Sequence, residues 1–448
     1  MAIEAINLFV RGLGVLALLA LQPAFAALPI QHWTQPSGAQ VYLVESRSIP
    51  MVDVNIDFDA GDRRDPAGQA GLASVTASMT GKGLLARDGE PEMDENQLGE
   101  AWADLGAGFG GDAGSDRMSF GLRSLTEPAL LDRAIHLAAR QLGEPAFPEH
   151  VWQRDRARTS ASIREANTRP GTVASRAYQR AVYSGHPYGA DVTEASLAAI
   201  GIEDMRRFYR AHVMPCRAKV SVVGNVDRAQ ADAIVTRMLA RLPLGPDGCA
   251  PLPPVPEVPP LAKPFTEAIP FQSAQAHVLI GQPGYKRSDP DYFPLLVGNY
   301  ILGGGGLVSR LSTEVREKRG LSYGASSYFS PGLHAGAFTI GLQTRPDQAS
   351  QATQVAKDVV ARFVADGPTA QELKDAKDYL IGGFPLRIDS NRKLLDNVAA
   401  IAWHNLPLNY LDTWTAQVAK VSAQDVRAAM ARKLQPDRMV TVTVGAAP

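Results

Sequence analysis

Residues 302–324 read LGGGGLVSRLSTEVREKRGLSYG, and they form the most informative stretch of this 448-residue chain. Four consecutive glycines can adopt positive φ angles and allow another chain to approach closely. The apolar residues that follow, Leu307, Leu311 and Val315, are spaced by four, which predicts the buried face of an amphipathic helix. Gly320 is then placed as the residue that ends this helix.

Two side chains near the end of the predicted helix are candidates for chemistry. Arg316 and Tyr323 are separated by one helix end, so the helix and the chain leaving it can direct both toward one point. The alternative is purely structural. Arg316 would complement the dipole of the helix C-terminus, and Tyr323 would fill a core.

This string resembles the C-terminal-half motif of the pitrilysin and insulin-degrading zinc peptidases, the inverted-zincin family. The resemblance implies that Arg316 and Tyr323 contact a bound peptide near its scissile bond. It also implies that the glycine run belongs to the substrate-binding surface; this run consists of Gly303, Gly304, Gly305 and Gly306.

The first half of the chain departs from that family at the metal site. Residues 61–83 resemble the family's frame around a helix that carries H-x-x-E-H in active members. Two His on one helical face hold zinc there, and the Glu activates water. This chain has Ser74, Ala77 and Ser78 at those positions. Alanine has no donor atom and neutral serine is a poor zinc ligand, so we predict a degenerate site.

The downstream Glu ligand that the resemblance implies is also missing. Ala161 and Ser162 stand nearest its place, and Glu165, one helical turn away, is interpreted as an ordinary solvated carboxylate. The chain is therefore predicted to hold no metal and no other cofactor of its own.

The resemblance thus implies half of an active site. Some bacterial members work as heterodimers, and this chain resembles their metal-free subunit. The expected partner is a homologous H-x-x-E-H subunit that brings zinc and the Glu base. The expected complex is a zinc metalloendopeptidase acting on peptides, and this chain alone would be inactive. The alternative is a catalytically inert scaffold or peptide-holding protein of the same fold.

The N-terminus predicts export. Arg11 precedes an apolar run, Leu13 to Leu21, and Ala24-Phe25-Ala26 provides a small-x-small cleavage site. We therefore expect a signal peptide over residues 1–26 and a periplasmic protein. The run is short for a spanning helix of about 20 residues, although an uncleaved anchor stays open. No later segment predicts a stable membrane span.

The two cysteines and the net charge also limit the function. In an oxidising compartment a lone pair is more often bridged than free, so Cys216 and Cys249 are candidates for a disulfide. The alternative is two unrelated thiols. The formal net charge is −1. Nothing indicates the basic stripe of a nucleic-acid-binding protein.

The two halves of the chain are predicted to be copies of one unit. Residues 202–224 recur as residues 423–445 without a gap, each as a helix, a Pro-marked turn and a strand. A proline-rich linker, residues 243–264, separates domains 27–242 and 265–448. Strands alternating with amphipathic helices predict an α+β class: two tandem homologous α/β-roll domains, each a mixed sheet covered by helices.

Residues 106–114 read GAGFGGDAG. They lack the Lys-Ser/Thr of a phosphate-binding loop, so no nucleotide site is predicted. The resemblance places the strand that pairs with substrate next to this segment, but the chain has glycines where the family has Asn.

Overall fold

The computed structural model describes residues 29–243 and 249–445. The predicted export signal, residues 1–26, lies outside these ranges. The strands are β1 (Gln31–Thr34), β2 (Gln40–Glu45), β3 (Met51–Phe58), β4 (Gly83–Leu84), β5 (Met93–Asp94), β6 (Gly108–Ala113), β7 (Met118–Leu125), β8 (Lys219–Gly224), β9 (Phe265–Ile269), β10 (Ala276–Tyr285), β11 (Ala325–Phe329), β12 (Gly336–Thr344) and β13 (Val440–Val444).

Helices cover these strands throughout both halves. They are α1 (Leu72–Met79), α2 (Glu95–Asp104), α3 (Pro128–Gly143), α4 (Glu149–Ala166), α5 (Pro170–Tyr183), α6 (Glu194–Ala198), α7 (Ile202–His212), α8 (Arg228–Leu239), α9 (Tyr292–Asn299), α10 (Ala349–Asp366), α11 (Ala370–Gly382), α12 (Asn391–His404), α13 (Tyr410–Lys420) and α14 (Ala423–Lys433). None of the helices in these two ranges is long and apolar enough to cross a membrane.

Two mixed sheets carry the fold, and they share one topology. The first has the order β1-β2-β8-β3-β7-β6, and the second has the order β9-β13-β10-β12-β11 when counted from its parallel edge. Within the described ranges, each sheet has a single parallel pair, which involves the repeat strand: β2 with β8, and β9 with β13. Strand for strand, the second sheet has the same arrangement as the first, except that it has no equivalent of β1. The predicted α+β class and the duplication are therefore confirmed.

The repeat noted in the sequence forms matching elements. Helix α7 leads through the turn Pro215–Arg217 into β8, and α14 leads through the turn Pro436–Arg438 into β13. Each of these strands is an interior strand of its sheet, and its valines are buried. The proline between helix and strand lacks an N–H and cannot continue the helix.

The two halves exchange one helix each. Helix α5 of the first half packs on β10 and β13 of the second sheet, while its counterpart α12 packs on β3 and β8 of the first. Tyr178 on α5 donates a hydrogen bond to the Phe338 carbonyl oxygen at 2.7 Å. Lys219 at the start of β8 donates to the Ala402 carbonyl oxygen at 2.8 Å, near the C-terminal end of α12. This exchange explains why β3 is buried on both faces.

The segment between the sheets lies along the body of the protein. Cys216 and Cys249 are bonded in the structure, with their Cα atoms 6.2 Å apart. Further along, His186 Nε2 lies 2.9 Å from the Pro256 carbonyl oxygen, and Lys286 Nζ lies 2.6 Å from Glu257 Oε1. Val258 is buried. The described part of this segment is thus fixed to both halves.

Candidate functional site

The glycine run is shaped by close packing at one end and by backbone conformation at the other. A Cβ on Gly303 would lie 2.4 Å from the Ser327 backbone nitrogen on β11, so only glycine fits there. Gly306 has a φ of +63°, in the left-handed region. Gly303 is buried against β11, whereas Gly306 lines the cleft described below. The four predicted substrate-binding glycines therefore differ in what they can reach.

The prediction that Leu307 lies on a buried helix face is wrong. Leu307 is 60% exposed and sits in a single 3₁₀ turn, Gly306–Val308. Helical geometry resumes only after Ser309, whose hydroxyl donates to the Gly306 carbonyl oxygen at 2.7 Å. Leu311 and Val315 are fully buried, as the spacing predicts.

The helical parts of this segment are wound more widely than an α-helix. Tyr300–Gly304 and Ser312–Glu317 are π-helical turns, with the Gly305 N–H donating to the Tyr300 carbonyl oxygen at 2.7 Å. Such turns occur in short pieces and are frequent at functional sites. Gly320 ends the second one with a φ of +61°, the role that the sequence predicts.

Three of the four cations in this segment are bound to carboxylates. Arg310 donates from Nε and Nη2 to both oxygens of Glu372 at 2.7 Å, which holds the pKa of that carboxyl at about 2. Lys318 and Arg319 both donate to Glu314 and lower the pKa of its carboxyl. Arg316 has no carboxylate partner among the described residues. Its guanidinium is therefore available for another ligand.

Tyr323 lies beside Arg316 and faces solvent. The Arg316 Cζ atom is 5.5 Å from the centroid of the Tyr323 ring, and Tyr323 is 87% exposed. The structural alternative of a buried tyrosine does not describe this geometry, whereas Arg316 does lie in the last turn of its helical segment, where it also complements the C-terminal dipole. The two predicted site residues are thus brought together at the protein surface.

Ser322 is a positioning residue that the sequence did not single out. It is buried, and its hydroxyl oxygen lies 2.6 Å from the Gln343 carbonyl oxygen on β12. The Ser322 hydroxyl thereby holds the chain against β12 immediately before the exposed Tyr323. In the sequence, the only indication of this role is that a small polar residue stands between Leu321 and Tyr323.

Tyr323 lines a cleft of about 710 Å³ on the face of the second sheet, which we call the second-half cleft. Its floor is formed by the outward residues of three strands, including His277, Ser326 and Gln343, and α5 supplies one wall through Gly171. Burial lowers the pKa of His277, which favours the neutral ring. The cleft thus offers neutral hydrogen-bonding groups beside one cation.

The helix that would carry zinc in active relatives has no ligand set here. Ser74 on α1 donates its hydroxyl hydrogen to Asp62 Oδ1 at 2.9 Å, so it is already engaged. Ala77 is fully buried, and Ser78 is exposed. On α4, Ala161, Ser162 and Glu165 are all exposed. These side chains do not fit a zinc ion.

The residues that the structure describes include no group of three or more His, Cys, Asp or Glu side chains that could hold a metal ion.

Comparison with known proteins places this geometry in a family. Residues 199–380 match the peptidase M16 inactive domain. The fold also superposes on the crystal structure of a peptidase M16 inactive domain from Pseudomonas fluorescens, with a TM-score of 0.86 and 33% identity, covering 94% of this chain and 98% of that one. The chain belongs to the peptidase M16 inactive-domain family. The family assignment made from the sequence is confirmed.

Relatives of this family member carry both peptidase and non-peptidase names. It is 30% identical to an uncharacterized zinc protease of Streptomyces coelicolor over 58% of this chain and 57% of that protein. It is 25% identical to the non-peptidase homolog YmxG of Helicobacter pylori over 90% of each. A protease from Helicobacter pylori, 18% identical, shares the fold with a TM-score of 0.82, covering 94% of this chain and all of that one.

Proposed function

We propose that this chain is the non-metal subunit of a heteromeric periplasmic zinc peptidase that cleaves peptides. The observation that carries the proposal is the pair formed by Arg316 and Tyr323. The guanidinium has no carboxylate partner among the described residues, and the phenol beside it is exposed at the second-half cleft. A chain that served only as a scaffold would have no need to keep these two groups free.

Each group has a defined task in this proposal. The Tyr323 hydroxyl donates a hydrogen bond to the oxygen that becomes negative when the scissile carbonyl is attacked. Arg316, held against the Tyr323 ring, donates to a neighbouring peptide carbonyl oxygen. The partner subunit brings the zinc ion and the Glu base, because Ser74, Ala77 and Ser78 cannot.

The decisive experiment is co-expression with a homologous subunit that carries an intact H-x-x-E-H and an export signal, encoded beside this chain. We expect one zinc ion per two chains and cleavage of a quenched fluorescent peptide only by the mixture. Cleavage by this chain alone after rigorous removal of metal would contradict the proposal. So would a tightly bound metal ion in its first half.

A second candidate is an inert scaffold or peptide-holding protein of the same fold. The name of the Helicobacter pylori relative, a non-peptidase homolog, favours it. This candidate predicts that the complex assembles but cleaves peptides at the same rate when Arg316 and Tyr323 are both replaced. The first candidate predicts a large loss of rate in the same double variant.

The periplasm is the proposed location, and residues 1–26 are the proposed signal. The bond between Cys216 and Cys249 supports this location, because disulfides persist in oxidising compartments. Fractionation of cells expressing the full chain tests it. We expect the protein, shortened at its N-terminus, in the periplasmic fraction, and recovery of unprocessed chain from the cytoplasm would contradict it.

A further inference from the structure

The first half contains a counterpart of the second-half cleft. This cavity, of about 370 Å³, lies on the face of β3, β7 and β6 beside the N-terminal end of α12. Its wall residues Arg392, Leu395 and Asp396 occupy the positions that Gly171, Ala174 and Ser175 of α5 occupy in the second-half cleft. The residue numbers of the two sets differ by the same amount as the residue numbers of the two copies of the helix–turn–strand repeat, 202–224 and 423–445. The internal duplication therefore built two related cavities, one on each sheet.

Glycines form the floor of this cavity, which we call the glycine trough. Gly108, Gly110 and Gly121 all line it, and none of them has a φ in the left-handed region. A Cβ added to any of the three would meet no atom within 4 Å. In contrast, a Cβ on Gly111, which also borders the cavity, would lie 2.6 Å from the Phe120 ring.

Neither backbone conformation nor packing within the described residues explains these three glycines. Glycine weakens a strand, because it loses more conformational freedom than other residues and packs no side chain. A glycine kept in a strand without an internal reason is typical of a place where a ligand or another backbone comes close. The floor of the trough therefore indicates an external occupant.

A buried carboxylate in the trough identifies the chemistry of that occupant. Asp53 on β3 is only 2% exposed, and its Oδ2 atom has no hydrogen-bond partner among the described residues. Its Oδ1 atom lies 3.5 Å from Arg123 Nε, too far for a hydrogen bond. A buried acceptor without a donor is costly, more so when it is charged. Asp53 Oδ2 is thus an acceptor in the trough that is open to a donor from outside the described residues.

The other charges around the trough favour a positively charged donor. Arg392 pairs with Asp396, with its Nε atom 3.5 Å from Oδ1. Arg123 faces Asp53, and Asp112 on the edge strand β6 is exposed and has no ion pair among the described residues. Three carboxylates thus face two guanidinium groups, which leaves one negative charge for a ligand to neutralise.

We propose that the glycine trough binds an extended peptide through one arginine or lysine side chain, with Asp53 as the carboxylate that receives it. The peptide backbone lies over Gly108, Gly110 and Gly121, where no side chain obstructs it. This inference rests on the proposed function, since it names a substrate class for the same complex. The second-half cleft, in contrast, holds no acidic side chain among its lining residues.

Binding to the isolated, metal-free chain tests the inference without the partner. The probes are fluorescein-labelled alanine-rich nonapeptides with a central arginine or with citrulline, which has the same shape but no charge. We expect the arginine peptide to bind at least about 10-fold more tightly in fluorescence anisotropy, because a charged hydrogen bond is gained. Equal binding of both peptides, or binding of neither, would overturn the inference.

Two variants make the test specific. Asp53→Asn keeps the shape and should bring the arginine peptide to the affinity of the citrulline peptide. The double variant Gly110→Ala/Gly121→Ala should bind both peptides more weakly. The midpoint temperature of its thermal unfolding should not be lower than that of the wild type. Gly99→Ala on α2 is the matched control, since its added Cβ also meets no atom within 4 Å. Unchanged binding in both trough variants would contradict the inference.

The failure of this inference and the failure of the proposed function are distinguishable in the two-subunit complex. If the complex cleaves arginine and citrulline peptides equally and Asp53→Asn changes neither, the trough assignment fails while the proposed function stands. If the isolated chain binds the arginine peptide through Asp53 but the mixture cleaves nothing, the proposed function fails instead.

Discussion

Arg316 and Tyr323 differ from their neighbours because their side chains make no hydrogen bond or ion pair within residues 29–243 and 249–445. Arg310, Lys318 and Arg319 are committed to Glu372 and Glu314. At the scale of the residue, a side chain without an ion-pair or hydrogen-bond partner is a functional candidate, whereas one that is already paired is a structural residue. The residue types alone could not make this distinction, since all four cations look alike in the sequence.

Tyr323→Phe should lower the kcat of the two-subunit complex about 10²–10³-fold, the usual loss when one oxyanion donor is removed. Removing one hydroxyl leaves the exposed ring and its contact with Arg316 intact, so assembly should not change. Steady-state kinetics and size-exclusion chromatography measure the two effects.

Tyr379→Phe is the control for this substitution. Tyr379 is 65% exposed on α11, and its hydroxyl makes no hydrogen bond among the described residues. This variant should match the wild type. An equal kcat for Tyr323→Phe and the control would assign Tyr323 a structural role.

Gly303→Ala should destabilise the protein by about 1–3 kcal/mol, the range for overpacking a well-packed site. Its Cβ would come within 2.4 Å of the Ser327 backbone on β11. Urea unfolding measures the loss. Gly382→Ala in α11, where a Cβ meets nothing, should be neutral or stabilising. Equal stability of both variants would contradict the packing argument.

At the scale of the element, the glycine-rich segment is a chain of short pieces rather than one helix. Two π-helical turns flank the 3₁₀ turn that exposes Leu307 and Val308. The four-residue apolar spacing suits an α-helix and a π-helix almost equally, so periodicity could not separate them. The hydrogen bonds from Ser309 to Gly306 and from Arg310 to Glu372 mark the point at which helical geometry resumes.

The disulfide fixes one end of the segment that joins the two sheets. Replacing both Cys216 and Cys249 by serine should lower the free energy of unfolding by about 2–4 kcal/mol, mainly because the unfolded chain gains freedom. The bond closes a loop with a sequence separation of 33 residues. Guanidinium unfolding with and without reductant measures the change.

Reductant should destabilise the wild type and leave the double serine variant unaffected. Two reactive thiols in the denatured, unreduced wild type would show that the bond does not form in the protein as isolated.

At the scale of the whole molecule, the exchange of α5 and α12 joins the two halves into one body. Each helix covers the sheet of the opposite half, so neither sheet is covered on both faces by its own half alone. The proline-rich composition of residues 243–264 predicted an extended, semi-rigid connection between the domains. In the described part of this segment, Pro256 contacts the first half, Glu257 contacts the second half and Val258 is buried, so the segment lies along the body of the protein.

His404 at the end of α12 makes the stability of this junction depend on pH. Burial, together with Arg287 and Arg117 from the two halves and Lys219, lowers its pKa to about 4, while Asp116 opposes them weakly. The unfolded chain, with an ordinary His pKa near 6.5, binds this proton more readily than the folded protein. Its stabilising effect is therefore complete above about pH 6.5 and is lost as the pH falls toward 4.

The free energy of unfolding of the wild type falls between pH 7 and pH 4. In His404→Gln this fall should be smaller, by up to about 3 kcal/mol, because the buried imidazole is absent. Urea unfolding at several pH values measures this slope. His150→Gln, at an exposed position on α4, is the control and should keep the wild-type slope. Identical slopes for all three proteins would contradict the role of His404.

The sequence by itself determined the family, the α+β class, the duplication and the loss of zinc ligands. These follow from motif spacing and from residue chemistry: Ala77 has no donor atom in any fold. It also singled out Arg316 and Tyr323 as a pair. Only the tertiary structure decided that Arg316 lacks a carboxylate partner among the described residues, that Leu307 is exposed and that Ser322 holds the chain against β12 beside the exposed Tyr323. These depend on contacts with β11, β12 and α11, which are distant in sequence. The exchange of helices and the glycine trough were likewise decided there, because both arise between segments that local patterns do not connect.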